Sequence, residues 1–212
     1  MKISEIFYSV QGEGSWVGYP MAFIRFQGCP FRCRWCDSEY TLDFHEGEEM
    51  PLEEVMRRVE AFGVKRACIT GGEPLAHLRD FKALVLALKE RGYWLEVESS
   101  GGYRLPWDSP VDCWVMDIKC PASDMEKYNK YEELPRLRPQ DQLKFVVVDR
   151  ADFEFSLDVL RRYRPKCQVL FSPAFGELQP DVLADWVKRD APEARLSLQL
   201  HKYIWSPALR GV

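Results

Sequence analysis

The chain has 212 residues, 46% of them hydrophobic, and a formal net charge of −4. That size suits one domain, residues 1–212, with a substantial core. The mild acidity leaves no basic field for nucleic acid or an anionic membrane, and no apolar run approaches the ~20 residues needed to cross a bilayer. The opening Met1-Lys2-Ile3-Ser4-Glu5 has no apolar stretch behind its charge, so no signal peptide and a cytoplasmic protein are expected. In a reducing compartment the seven cysteines are not a disulfide framework. Cys68, Cys113, Cys120 and Cys167 are dispersed and read as small core residues.

In chain order, residues 21–27 are predicted as a strand that leads into a cysteine-rich loop. Residues 51–62 begin with Pro51 and carry Leu52, Val55, Met56 and Val59 at helical spacing. A strand over 66–70 precedes a helix over 78–91 that stops at Gly92. Strands follow over 94–98, 113–118 and 143–148, then a helix over 155–163. The pattern ends with a strand over 169–172, a helix over 180–189 and a final strand over 195–200. Strands alternating with helices predict parallel strands with helical crossovers. A full eightfold barrel takes ~250 residues. The predicted fold is therefore α/β, an incomplete β/α barrel of about six parallel strands with fewer helices than usual. Reactive groups of such folds gather at the C-terminal strand ends. There this chain places the cysteine loop, Gly71-Gly72-Glu73-Pro74, Ser99, Lys119, Ser172 and His201.

Cys29-Pro-Phe-Arg-Cys33-Arg-Trp-Cys36 puts three soft ligands on one short loop. A structural zinc site takes four protein ligands, and iron–sulfur clusters are usually held by four thiolates. Three thiolates suggest a cluster with one iron left for a ligand that is not protein. The bland alternative is a zinc knuckle completed by His45, although the gap from Cys36 to His45 fits zinc spacings poorly. The glycine pair before Glu73 and Pro74 can be a tight turn, or a place where backbone approaches a ligand and Glu73 meets a cationic amine. Near the start, Gln11-Gly12-Glu13-Gly14 reads as a solvent turn, or, with Arg25, as a grip for a flat polar heterocycle bearing a carboxylate.

The cysteine loop, with Trp35 before its last cysteine, and the later Gly-Gly-Glu-Pro resemble the radical S-adenosylmethionine superfamily. Gln11–Gly14, Cys36-Asp-Ser-Glu-Tyr-Thr41, Asp117-Ile-Lys-Cys-Pro-Ala-Ser123, Phe171-Ser-Pro-Ala-Phe-Gly-Glu-Leu178 and Leu198-Gln-Leu-His-Lys202 narrow the resemblance to the 7-carboxy-7-deazaguanine synthases, along nearly the whole length. The resemblance implies a radical, magnesium-dependent ring contraction of 6-carboxy-5,6,7,8-tetrahydropterin with loss of ammonia, in queuosine and deazapurine biosynthesis. It implies a 4Fe–4S cluster on Cys29, Cys33 and Cys36, and Mg²⁺ at Ser38, where family members often carry Thr. Adenosylmethionine contacts are implied at Trp35, Gly71, Gly72, Glu73, Ser99, Lys119, Ser123 and Ser172. Substrate contacts are implied at Gln11, Gly12, Glu13, Arg25 and His201, with the tail 206–212 as a further source. A flavodoxin or ferredoxin electron donor and a homodimer are the family's usual partners. Lys119 also reads as a solvated strand-end lysine, Ser123 as a helix cap and His201 as a core histidine. Glu98-Ser99-Ser100-Gly101-Gly102 departs from the family's usual Glu-Thr-Asn-Gly-Thr, leaving open which hydroxyl makes the contact. A glycyl-radical activase, which would share the cluster loop but not Gln11–Gly14, and a non-catalytic zinc module are the alternatives.

Overall fold

The computed structural model describes residues 1–212. The elements are β1 (Lys2–Val10), β2 (Pro20–Phe26), β3 (Glu48–Glu49), α1 (Leu52–Glu60), β4 (Arg66–Gly71), α2 (Leu78–Glu90), β5 (Trp94–Ser99), β6 (Cys113–Ile118), β7 (Gln142–Val147), α3 (Arg150–Tyr163), β8 (Gln168–Pro173), α4 (Pro180–Asp190), β9 (Arg195–Leu196) and α5 (His201–Ile204). One sheet runs β3-β1-β2-β4-β5-β6-β7-β8-β9. From β2 to β9 every neighbouring pair is parallel, while β1 and β3 add an antiparallel edge. The sheet does not close, as expected of an incomplete barrel. Between β5 and β6 there is no helix, and between β6 and β7 only 3₁₀ turns, which accounts for the shortage of crossovers. No helix is long and apolar enough to cross a membrane.

Successive side chains on a strand point to opposite faces, and here the two faces have opposite chemistry. The outward set includes Ile24 and Phe26, Ile69, Leu95 and Val97, Trp114 and Met116, Phe145 and Phe171. All of these are buried and packed with Val55, Val59, Phe81, Leu84, Phe153 and Leu183 of the helices. The Phe153 ring lies tilted 4.8 Å from Phe171, which stacks at 5.5 Å on Phe145. The inward set carries Arg25, Thr70, Glu98, Asp117, Lys144 and Ser172, which line the concave side. The hydrophobic effect thus holds the helices to the convex face and leaves the other face for chemistry.

Two departures from the predicted elements matter. The first strand, β1, was not foreseen, because Lys2–Val10 mixes polar and apolar residues and takes its register, bulge included, from β2. The strand expected over 195–200 is only β9, Arg195–Leu196. Beyond it the chain leaves the sheet edge, and the Leu200 amide donates to the Gly12 carbonyl at 2.9 Å. His201 therefore opens α5 and does not end a strand. Replacing Phe153 by Ala should cost about 3–5 kcal/mol, the usual range for a buried aromatic. Equilibrium urea unfolding should show this as a lower midpoint with little change in slope.

Candidate active site

The cysteine loop hangs between β2 and β3 and is pinned at its base. Gly28, in the left-handed region at φ 98°, donates to the Thr41 carbonyl at 2.7 Å, and Cys29 donates to Leu42 at 3.2 Å. The Gln27 amide bonds the carbonyls of Tyr40 and Asp43, each at 3.0 Å. Cys29, Cys33 and Cys36 are free thiols that all line one cavity of about 680 Å³, a size typical of small-molecule sites. Burial, reinforced by Glu73 and Cys33, pushes the Cys29 thiol up to about 12, and burial also raises Cys33 and Cys36. Lys119 opposes this at all three sulfurs. Three clustered soft donors beside a fixed cation suit a metal cluster, whose own charge favours thiolates. His45 is exposed and lines a separate hollow with Arg32, Glu39 and Phe44, which removes it as a fourth ligand here.

Behind the thiols, the end of β4 presses on the same loop. A Cβ on Gly71 would run into the Phe26 backbone, and one on Gly72 into the Gly28 and Thr41 carbonyls, so only glycine fits at either place. Both glycines line the cavity. Glu73 does not. Its carboxylate is fully buried and accepts from the Leu75 amide at 2.9 Å, the Ser100 amide at 2.7 Å, the Ser99 hydroxyl at 3.3 Å and the Ser100 hydroxyl. These bonds staple the glycine turn to the end of β5. Ser99, Ser100, Lys119, Ser172 and Trp35 are on the cavity wall. The Lys119 ammonium sits 2.6 Å from Asp117, so it is no free solvated lysine. Ser123 does not line the cavity. It is buried away from the cavity, its hydroxyl donating to Cys120 at 2.6 Å and accepting from the Met125 amide at 3.0 Å. Its carbonyl accepts from Arg34, which ties this turn to the cysteine loop.

The other half of the wall comes from the segment after β1, which crosses the concave face. Gln11, Gly12, Glu13, Arg25 and His201 all reach the cavity. The Gln11 amide nitrogen donates to Glu96 and its oxygen accepts from the Glu13 amide at 3.2 Å. Gly12 is needed where it is because a Cβ there would overlap the His201 ring. Burial raises the Glu13 carboxyl, but the paired Lys144 ammonium outweighs it and holds the group below the usual carboxylate range. Gln199 then bridges, donating to Glu13 at 3.0 Å and to Asp37 at 2.9 Å. Lys202 pairs with Asp37 at 2.7 Å. The Nε of Arg25 donates to Glu5 at 2.7 Å, and Tyr40 donates to the same oxygen, which fixes the guanidinium plane. Burial lowers His201 and keeps its ring neutral at pH 7. The Ser38 hydroxyl reaches the cavity, bonded to Asp37 at 3.1 Å. The tail residues Pro207–Val212 line the mouth, with the Arg210 guanidinium 3.6 Å from the Tyr40 ring.

Sequence reading missed Lys144, Glu98, Thr70, Asp37 and Gln199. For Lys144 a signal existed, a lone lysine in the otherwise apolar run 143–148. For Gln199 there was none, since its partners Glu13 and Asp37 are brought to it only by the fold.

Residues 23–110 match the family model described as the Radical SAM superfamily. A 7-carboxy-7-deazaguanine synthase of Koribacter versatilis is 39% identical, covering 100% of both chains. That of Chlorobaculum tepidum is also 39% identical, covering 100% of this chain and 97% of its own. The chain belongs to the 7-carboxy-7-deazaguanine synthase family. The crystal structure of QueE from Escherichia coli matches at a TM-score of 0.70 and 25% identity, covering 94% of each chain. Membership in this synthase family sets aside both the glycyl-radical activase and the zinc module. As a test of the crossing segment, Lys144→Met should strand the Glu13 charge and cost about 3–5 kcal/mol. Adding Glu13→Gln should recover part of that loss in thermal unfolding, and a purely additive double variant would show that the pair is not coupled.

Proposed function

We propose that the chain converts 6-carboxy-5,6,7,8-tetrahydropterin to 7-carboxy-7-deazaguanine and ammonia. The observation that carries this reading is one cavity lined both by three thiols and by the Glu13–Lys144 pair with Arg25. The net change is loss of ammonia, so hydrogen taken from the substrate is returned and no oxidant is consumed. When bound, the cluster and adenosylmethionine supply the 5′-deoxyadenosyl radical that starts the rearrangement.

In this reading Cys29, Cys33 and Cys36 hold three irons of a 4Fe–4S cluster. Gly71 and Gly72 offer backbone to the methionine end of adenosylmethionine. Trp35, Ser99, Lys119 and Ser172 flank the rest of that cofactor, with Ser100 available beside Ser99. The terminal nitrogens of Arg25 are left for the substrate carboxylate, since its hydrogen bond to Glu5 uses Nε. Glu13, ionised beside Lys144, accepts ring N–H groups, while Gly12 presents backbone and His201 a neutral imidazole. Ser38 offers Mg²⁺ a hydroxyl oxygen, and this ion prefers oxygen ligands and retains waters. A small flavodoxin or ferredoxin supplies the electron, and the chain acts as a homodimer.

Anaerobic reconstitution should give a brown protein with about four irons per chain that turns over the pterin with adenosylmethionine and Mg²⁺. Colourless protein with a single zinc, or adenosylmethionine cleavage without pterin turnover, would reject the reading. Cys33→Ala should abolish both reactions. Glu13→Gln should keep its iron and raise KM for the pterin about tenfold or more, the loss of one charged hydrogen bond. Chelation of Mg²⁺ should slow turnover, reversibly on readdition.

A further inference from the structure

The wall residue Gln11 is itself held from below by a group that the chemistry proposed above does not use. Glu96, on β5, is 1% exposed and lies under the cavity floor. One carboxyl oxygen accepts from the Gln11 amide, and the other is buried with no hydrogen-bond partner. Its surroundings argue against a negative charge. Glu98 of the same strand and Cys68 of β4 offer ligand atoms that lie with it inside a 4.8 Å cluster. Cys113 of β6 stands opposite in the ladder, Gln142 of β7 lies beside it, and Glu13 of the crossing segment adds a further negative charge. The cations nearest this floor are already engaged, Arg25 of β2 with Glu5 and Lys144 of β7 with Glu13. The Gln142 amide is only a weak further donor, too poorly placed to satisfy the second oxygen. A buried carboxylate so sparsely bonded, with like charges around it, is strongly disfavoured, and a proton is the simplest way to remove the charge.

We infer that Glu96 stands in the folded protein as an un-ionised carboxylic acid and is the positioning residue for Gln11, and through Gln11 for Glu13. The assignment of Glu13 to the pterin rests on the function proposed above; the protonation of Glu96 does not. Ionised or not, that Glu96 oxygen accepts from the Gln11 –NH₂ group. The Gln11 oxygen must then turn towards the Glu13 amide, the 3.2 Å bond observed. Burial first, and Glu98 second, raise the Glu96 carboxyl to about 8. Above that value the carboxylate adds an uncompensated charge beside Glu98 and Glu13, and this repulsion displaces the segment carrying Gln11 and Glu13 as pH rises through it.

The experiment uses the reconstituted holoenzyme and the variants Glu96→Gln, a neutral shape match, and Glu96→Leu. Infrared spectra of the wild type at pH 7 should contain the carbonyl stretch of an un-ionised carboxylic acid. That band should titrate away near pH 8 and be missing from Glu96→Gln. The wild-type KM for the pterin should rise about fivefold or more between pH 7 and pH 9, while pterin-independent cleavage of adenosylmethionine keeps its own pH profile. Glu96→Gln should remove that alkaline rise and stay within about twofold of the wild type at pH 7, whereas Glu96→Leu raises KM about tenfold at every pH with its iron retained. The inference is overturned if no such band exists, if Glu96→Gln behaves like Glu96→Leu, or if the wild type carries a divalent ion, beyond the cluster and added Mg²⁺, that Glu96→Gln loses. The infrared result needs no substrate. A missing band with normal pterin turnover sinks this inference alone, and a titrating band without turnover sinks the substrate assignment alone.

Discussion

The ion pair between Glu13 and Lys144 is the interaction on which the site's geometry depends. It fastens the segment after β1, at one side of the sheet, to β7 near the other. An open, curved sheet has no intrinsic reason to present one wall to a ligand, and this tie makes its concave face a cavity. Around it the Ser15 amide donates to Gln142 at 3.0 Å, the Gly14 amide to Ser197 at 3.4 Å and the Leu200 amide to the Gly12 carbonyl. Both charges are largely withdrawn from water, so each needs the other to remain charged at all.

The same segment relates the two sets of groups that line the cavity. Glu13 at the substrate end and Asp37, next to the last cysteine, share the amide of Gln199. Lys202 adds a charged contact to Asp37 and holds that carboxyl well below the usual range, against a burial effect that would raise it. The loop that carries the thiols and the segment that faces the substrate are thus registered against one another by side chains from the C-terminal stretch. Relative placement of radical source and target is what a radical enzyme must supply from its own structure.

The motif residues earn their identities in different ways. Gly71 and Gly72 are glycine because the end of β4 meets the backbone of β2 and of the cysteine loop too closely for any side chain. Glu73, in the same motif, works backwards into the protein, where it organises Ser99 and Ser100. Ser123 holds a turn against the cysteine loop. A short motif can therefore contain groups that touch a ligand and groups that only hold those in place.

Local sequence by itself determined the parallel core, since α1, α2, α4 and the strands β2 and β4 through β8 follow from periodicity and lie within a residue or two of the predicted bounds. It also determined the three-thiol loop, because ligand spacing on one loop is a local property. Tertiary structure alone decided β1, whose mixed pattern acquires meaning only against β2, and the end of β9, where Gly12 takes the next amide. It decided too that Glu73 and Ser123 face away from the cavity, and that Lys144, Gln199 and Glu96 support it. Those roles depend on partners far along the chain, such as Gln11 and Glu96 or Glu13 and Lys144. Their distance is set by how the sheet curls, which no local pattern encodes.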